Sequence, residues 1–212
     1  MSDNALPDEA APDREEPKVR HRMKPGQRRE QILQTLAGML EQPGTERITT
    51  ALLASKLDVS EAALYRHFAS KAQMFEGLLD FIDQTVFGLV NQIIEREGDG
   101  AQKAARIIAM LLQFGERNQG MTRVMVGDAL VHENERLQQR MNQFFDRLES
   151  SLRQVLKDAQ VVRLSQTPTV EAQVRASVLT AFALGRLQRF ARSGFKKSPT
   201  EQLEAALALV MA

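Results

Sequence analysis

Apolar residues recur along most of the chain at intervals of three and four, the spacing of one face of an α-helix. No stretch sustains the alternation of a strand, and β-branched residues are sparse. Ile32, Leu33, Leu36, Met39 and Leu40 define a first helix over about 27–40, stopped by Pro43-Gly44. Two short helices follow, at about 50–57 and 60–68. Ser70-Lys71-Ala72-Gln73 is a capping box, in which the serine accepts a free N–H and the glutamine side chain returns to the cap. It opens a long fourth helix through Phe75, Leu78, Ile82, Val86 and Val90, broken at Glu97-Gly98-Asp99-Gly100. A fifth helix (101–114) and a sixth (121–132) flank residues 115–120. The seventh has the clearest stripe: Leu137, Met141, Phe144, Leu148, Leu152 and Val155. Residues 161–167 read as a loop. Thr167-Pro168 opens an eighth helix that runs to about Arg192, with Gly194 as its stop. Ser198-Pro199-Thr200-Glu201 opens the last helix with a capping box and a proline at its first position. The expected fold class is all-α, with a helical head over 23–70 and a helical core over 71–212.

Residues 1–22 break the pattern. Three of the seven prolines fall there, and apolar side chains are few and small, so a disordered tail is expected. Charge adds to this picture. The net charge is only +1, but residues 1–17 carry six acids and one base. Residues 18–29 carry Lys18, Arg20, Arg22, Lys24, Arg28 and Arg29 and no acid. A local basic run attracts polyanions even on a nearly neutral protein.

Composition excludes several function classes. The chain has 212 residues and no cysteine, which removes disulfides, thiol nucleophiles and zinc–thiolate sites. The longest apolar run, Ala205 to Ala212, falls far short of the roughly 18 residues of a membrane span. There is no apolar leader, so a cytoplasmic location is expected. Tryptophan is absent, Tyr65 is the only tyrosine and there are three histidines, a thin supply for catalysis. Gly98 and Gly100 do not belong to a phosphate loop, and His132-Glu133 lacks the second histidine of a metalloprotease helix. We therefore expect no enzyme activity, no cofactor and no metal.

Residues 49–68 carry the chemistry. Two helices of about eight residues are joined at Asp58–Val59, with Ala54 small at the crossing and Leu53, Leu57, Val59 and Leu64 as shared core, which is the pattern of a helix-turn-helix. With Leu64 at the inner face and a step of about 100° per residue, Phe68 falls about 40° away, inside. Ala62 and Arg66 fall at about 160° and 200°, directly outside, flanked by Ala63 and Tyr65. Small residues there admit the helix end to a major groove, where a methyl can meet thymine. Ser60 caps this helix and Thr49-Thr50 open the preceding one, so both ends offer N–H groups to phosphate. The candidate DNA surface is thus Thr49, Thr50, Ser60, Ala62, Ala63, Tyr65, Arg66, His67 and Lys71, with Arg28 and Arg29 from the basic run. The plainer alternative is a short amphipathic helix pair with Tyr65 packed, Arg66 solvated and His67 at the core edge.

Thr49-Thr50, Leu64-Tyr65-Arg66-His67-Phe68 and Ser70-Lys71 resemble the DNA-binding domain of TetR-family regulators. That family usually has glycine where this chain has Asp58. Aspartate tolerates positive φ, so a strained but intact turn is expected. Residues 114–123, 127–130, 136–145 and 152–156 resemble the nucleoid-occlusion branch of the family more narrowly, and the resemblance covers about 26–195. It implies a homodimer on palindromic sites in double-stranded DNA, one dimer or more per site, on the nucleoid. It also implies binding to the division GTPase FtsZ and blockage of its ring assembly. The alternative within the family is a repressor gated by a small effector in the helical core.

Two further sets of residues are candidates. Phe81, Met110 and Phe114 lie off the main stripes of their helices, beside Arg117 and Asn118 at a helix end. An apolar patch with a basic rim suits a short acidic-apolar peptide, although central helices are often buried all round. Ala181 and Gly185 lie four apart on one face of the eighth helix. They permit close approach in a four-helix dimer interface built from about 168–192 and 199–212.

Overall fold

The computed structural model describes residues 26–42, 48–96 and 98–211. The tail over 1–22, the Pro43-Gly44 stop and four bases of the basic run (Lys18, Arg20, Arg22 and Lys24) lie outside the described residues. The elements are α1 (Gln27–Glu41), α2 (Thr50–Lys56), α3 (Glu61–Tyr65), α4 (Lys71–Glu95), α5 (Gly100–Arg117) and α6 (Gln119–Met125). A 3₁₀ turn (Asp128–Leu130), α7 (Glu135–Leu156), α8 (Gln160–Arg163), α9 (Pro168–Arg192) and α10 (Leu203–Met211) complete the order. Helices α1 to α3 form a head. Helix α4 leaves it and packs on α5 and α7, while α9 packs on α7 and α5.

One hydrophobic cluster runs from Ile32 in the head to Leu207 in α10, so head and core are not separately packed. The joint between them is tight. At Gly120 in α6 a β-carbon would sit 2.2 Å from the Ala37 carbonyl oxygen of α1, so only glycine lets the two helices meet. Ion pairs also fix α4 along α7: Arg136–Glu76 at 2.7 Å, Arg140–Asp80 at 2.8 Å and Arg147–Asp83 at 3.0 Å. Such exposed pairs add little stability, about 0–1 kcal/mol each, but they set register. A fourth pair, Lys71–Glu133, is less exposed and joins the start of α4 to the turn before α7.

Caps explain where helices begin. Ser70 Oγ accepts from Gln73 N–H, while the Gln73 side-chain oxygen accepts from Ala69 N–H, one residue before the cap. Asp99 joins two elements. Its Oδ1 accepts from Gln160 N–H at 2.9 Å and its Oδ2 from Ala101 N–H at 2.8 Å, so it caps α5 and holds the start of α8. The Gln160 N–H, and then those at the start of α5, hold its carboxyl below the usual carboxylate range against the opposing effect of burial.

Four boundaries differ from the sequence expectation. Helix α3 ends at Tyr65, and Arg66 and His67 lie in the turn that follows. The sixth helix does not reach His132. Gly127 adopts φ +85°, which ends α6 and starts the 3₁₀ turn. Residues 160–163 form a helical turn rather than a loop. The last helix starts at Leu203 and not near Pro199, because the Ser198 and Thr200 hydroxyls donate to the Glu116 carboxylate of α5. Gln202 then turns through φ +48°.

Candidate nucleic-acid interface

The head is built around a turn that needs a left-handed residue. Asp58 takes φ +52°, which lets Val59 N–H reach back to the Ala54 carbonyl at 3.1 Å. Leu53, Leu64 and Phe68 are each 1% exposed and hold α2 against α3. Ser60 Oγ accepts from Ala63 N–H at 3.3 Å, and Thr49 Oγ1 from Leu52 N–H at 3.2 Å. Both residues therefore serve as caps while remaining exposed.

Ala62, Tyr65, Arg66 and His67 are exposed, and Ala63 is half-buried. The Thr50 hydroxyl donates to the Glu61 carboxylate, and the Tyr65 hydroxyl lies 3.5 Å from Thr50 Oγ1. The sequence reading missed Glu61, whose exposed carboxylate ties α3 to α2. It also missed Leu52, an exposed apolar residue on α2; the identity of that side chain gave no sign of its exposure.

The basic residues divide into two groups. Arg28 lines a groove with Ser55, Asp58, Ser60, Ala63 and Arg66, beside the recognition helix. Arg29 is exposed, and its guanidinium donates to the His67 carbonyl at 3.1 Å and lies 4.2 Å from the Phe68 ring centre. Lys71 pairs with Glu133 and lies over the Phe75 ring. Its partner lies 62 residues away, beyond what local sequence reveals.

On the core, Phe81 is 46% exposed and its ring centre lies 6.5 Å from that of Phe114. Phe114 itself is buried, and Met110 is half-buried. The Asn118 side-chain amide donates to the Phe114 carbonyl at 2.7 Å, so Asn118 closes the end of α5. Arg117 is exposed beside it. Of the five candidates, Phe81 and Arg117 face outward, while Phe114 and Asn118 support them from within.

Ala181 and Gly185 are both exposed, and a β-carbon at Gly185 would meet nothing within 4 Å. They belong to a larger stripe. Val170, Val174 and Val178 are 60%, 54% and 48% exposed on α9, and Leu209 on α10 is 82% exposed. On a helix, positions 170, 174, 178, 181 and 185 fall within an arc of about 80°. The opposite side of α9 buries Ala172, Ala176, Leu179, Ala183 and Leu187. An effector pocket between α5, α7 and α9 has little room. Ile107, Leu111, Leu148, Leu152, Leu179 and Leu187 are fully buried there, and a β-carbon at Gly115 would lie 2.4 Å from Leu187.

Among the described residues, no helix is long and apolar enough to cross a membrane. Residues 32–78 match the family "Bacterial regulatory proteins, tetR family", and residues 99–212 match the SlmA-like "Tetracyclin repressor-like, C-terminal domain". The chain is 48% identical over 190 residues to the nucleoid occlusion factor SlmA of Vibrio vulnificus, covering 89% of this chain and 96% of that protein. It is 48% identical over 186 residues to SlmA of Escherichia coli O81, covering 87% and 93%. Solved structures share the fold at low identity. The TetR-family regulator PfmR of Thermus thermophilus aligns with a TM-score of 0.69 at 19% identity, over 86% of this chain and 95% of that one. The regulator FadR of Bacillus subtilis, in complex with stearoyl-CoA, aligns at 0.68 and 13%, over 86% and 97%.

Proposed function

The chain belongs to the SlmA family of TetR-type proteins, and we propose that it is a nucleoid occlusion factor. It works as a homodimer on palindromic sites in double-stranded DNA and, from there, blocks FtsZ ring assembly over the nucleoid. The observation that carries this reading is the pairing, in one molecule, of a reading head with an unpartnered apolar stripe on α9. Two copies joined along that stripe hold two heads at a fixed separation. A separation of about 34 Å matches successive turns on one face of DNA.

The recognition surface consists of Ala62, Ala63, Tyr65 and Arg66 on and after α3, with Thr49, Thr50 and Ser60 at the two helix starts. Arg28 adds charge along the groove. The alanines permit close approach to base edges, while hydroxyls, N–H groups and guanidinium take phosphate oxygens. Arg29 and Lys71 also hold the head in place, through the His67 carbonyl and Glu133, while the exposed His67 side chain remains on the surface.

FtsZ docks on the seam between α4 and α5, with Phe81 as apolar anchor and Arg117 as charged rim. With the heads occupied by DNA, this seam stays accessible. Helix α4 connects the two surfaces, so DNA binding can favour partner binding, and linkage requires the reverse to the same degree.

The test is a binding assay with purified FtsZ, with and without operator DNA, on wild-type protein and Arg117→Asp. The variant should keep dimerisation and operator affinity and lose FtsZ binding. Full retention of FtsZ binding would remove Arg117 from the site. Absence of FtsZ binding by the wild-type protein would remove the function.

A further inference from the structure

The segment from Arg186 to Lys197 holds five bases and no acid, a second basic run that the DNA-reading head does not use. The fold displays it on a stiff turn. Arg186 is consumed internally, donating to the carbonyls of Pro199 and Glu201 at 3.0 and 2.7 Å. Phe195, at φ +63°, stacks edge-on against Phe190 with ring centres 5.0 Å apart. Ser193 Oγ accepts from the N–H groups of Lys196 and Lys197. The other four side chains, Arg189, Arg192, Lys196 and Lys197, are exposed. Arg189 and Lys197 line one groove beside Ser198. The acids nearby are Glu201 in that groove, Asp128 in the groove beside Ala191, and Glu116, whose carboxylate is already held by Ser198 and Thr200.

This face adjoins the partner seam. Glu116, bound to the 198–200 turn, is the immediate neighbour of Arg117. The C-terminal end of α5, which carries Arg117, is thus tied through Glu116 to Ser198, and Ser198 lines a groove with Lys197 and Arg189. We infer that this basic turn is the second half of the FtsZ-docking site, and that it takes an acidic stretch of the partner polypeptide next to the apolar residues seated at Phe81. The inference rests on the FtsZ reading above and adds the chemistry of the segment bound.

Duplex DNA is the rival polyanion, and distance argues against it. The reading end of α1 is marked by Arg29, which bonds to the turn after α3. The opposite end is marked by Leu40, which lines a groove with Ala191 at the base of the basic turn. Eleven residues of helix separate these ends by about 16 Å. That is about twice the Debye length of roughly 8 Å at physiological salt. DNA seated on the heads lies beyond effective reach of the turn, whereas a peptide on the α4–α5 seam lies beside it.

The test uses full-length protein carrying Arg189→Gln, Arg192→Gln, Lys196→Gln and Lys197→Gln together, with FtsZ binding measured at low and high salt. FtsZ affinity at low salt should fall about tenfold, the sum expected of four exposed ion pairs, and its salt dependence should flatten. Operator affinity should be unchanged. Arg192 falls on the same arc of α9 as Val174, so the pair Lys196→Gln and Lys197→Gln, which lies beyond that helix, is also measured: it should keep the dimer and lower FtsZ affinity about threefold. Restoring charge with Arg189→Lys and Arg192→Lys, on otherwise wild-type sequence, should keep binding near normal. A quadruple variant that binds FtsZ with wild-type affinity and salt dependence overturns the inference. So does one that loses operator affinity while keeping FtsZ, since the face would then belong to DNA. Wild-type protein that fails to bind FtsZ overturns the earlier reading, whereas wild-type binding with an indifferent quadruple variant overturns this one alone.

Discussion

The head and helix α9 present opposite kinds of surface. On the head, the outward residues apart from Leu52 are mostly small or polar, and several are tied to one another: Thr50 to Glu61, Arg29 to His67, Ser60 to Ala63. On α9, three valines, an alanine and a glycine stand outward, with Ser177 exposed at the edge of the stripe and Gln188 and Arg192 at its C-terminal end. A polar surface with fixed donors suits a polyanion, whose charge and hydrogen-bonding groups it can match without rearrangement. An apolar stripe of this kind costs free energy in water until something covers it. In the proposed reading, the first surface is complete in one chain and the second is covered by a copy of itself.

The largest expected effect comes from breaking the second surface. Val174→Glu places a charge in the centre of the α9 stripe. Val174 is half exposed in the single chain, so the protomer should fold normally and keep its helicity. Dimers should become monomers in sedimentation. Operator affinity should fall roughly hundredfold or more, because the two heads no longer act at high effective concentration. A persistent dimer with wild-type affinity would reject the stripe as the interface.

Changes on the head should be smaller and should leave the dimer intact. Tyr65→Ala and Arg66→Ala should each weaken operator binding by about 1–3 kcal/mol. If Arg66 binds a phosphate, the slope of log affinity against log salt should also become shallower by about 1 in the Arg66→Ala variant. If both variants together bind as wild type does at every salt concentration, the reading face has been placed on the wrong side of α3.

How far these surfaces could be read from sequence follows the same division. The head was legible because its signals are local. Caps at Thr49 and Ser60, the inward Leu64 and Phe68 and the left-handed Asp58 all lie within 20 residues. The valine stripe was less visible. Helix α9 buries Ala172, Ala176, Leu179 and Ala183 on its other side, so apolar residues surround it and the period fades. Ala181 and Gly185 stood out only as small residues. The misread start of α10 has a tertiary cause, since Glu116 takes the hydroxyls that a local capping box would have used. The ion pair of Lys71 was not legible either, because its partner Glu133 is remote in sequence. The 3₁₀ turn after Gly127 had a local signal, the glycine itself, inside what looked like one continuous helix.

Beneath both surfaces lies the common scaffold, where Asp99 offers a test that should affect them equally. Asp99→Ala should cost about 1 kcal/mol at neutral pH through loss of the cap on α5 and the tie to α8. The folded carboxyl titrates below its ordinary value. Its stabilisation is therefore full above the unfolded carboxylate range and is lost as pH falls through the folded pKa. The gap in Tm between wild type and variant should narrow in acid. A gap of the same size at pH 7 and at pH 3 would mean that Asp99 acts through something other than its charge.

The smallest effect is expected at the turn of the head, and it separates geometry from charge on the reading surface. Asp58 sits at φ +52°, a conformation that costs an ordinary L-residue about 1–2 kcal/mol and aspartate less. Asp58→Gly removes that strain but gives the unfolded chain more freedom, about 0.5–1 kcal/mol in the opposite direction. The two nearly cancel, so Tm should move by no more than about 2 °C. Asp58 also lines the groove shared by Arg28 and Arg66, where its carboxylate repels phosphate. Removing it should raise operator affinity about two- to threefold at low salt, a gain that vanishes as salt screens the exposed charge. Asp58→Ala removes the same charge but keeps a β-carbon at positive φ. It should show the same gain in affinity with about 1 kcal/mol less stability than the glycine variant. Equal stability of the two variants would show that the turn does not require a left-handed residue, and equal affinity of all three proteins would show that phosphate does not pass along this groove.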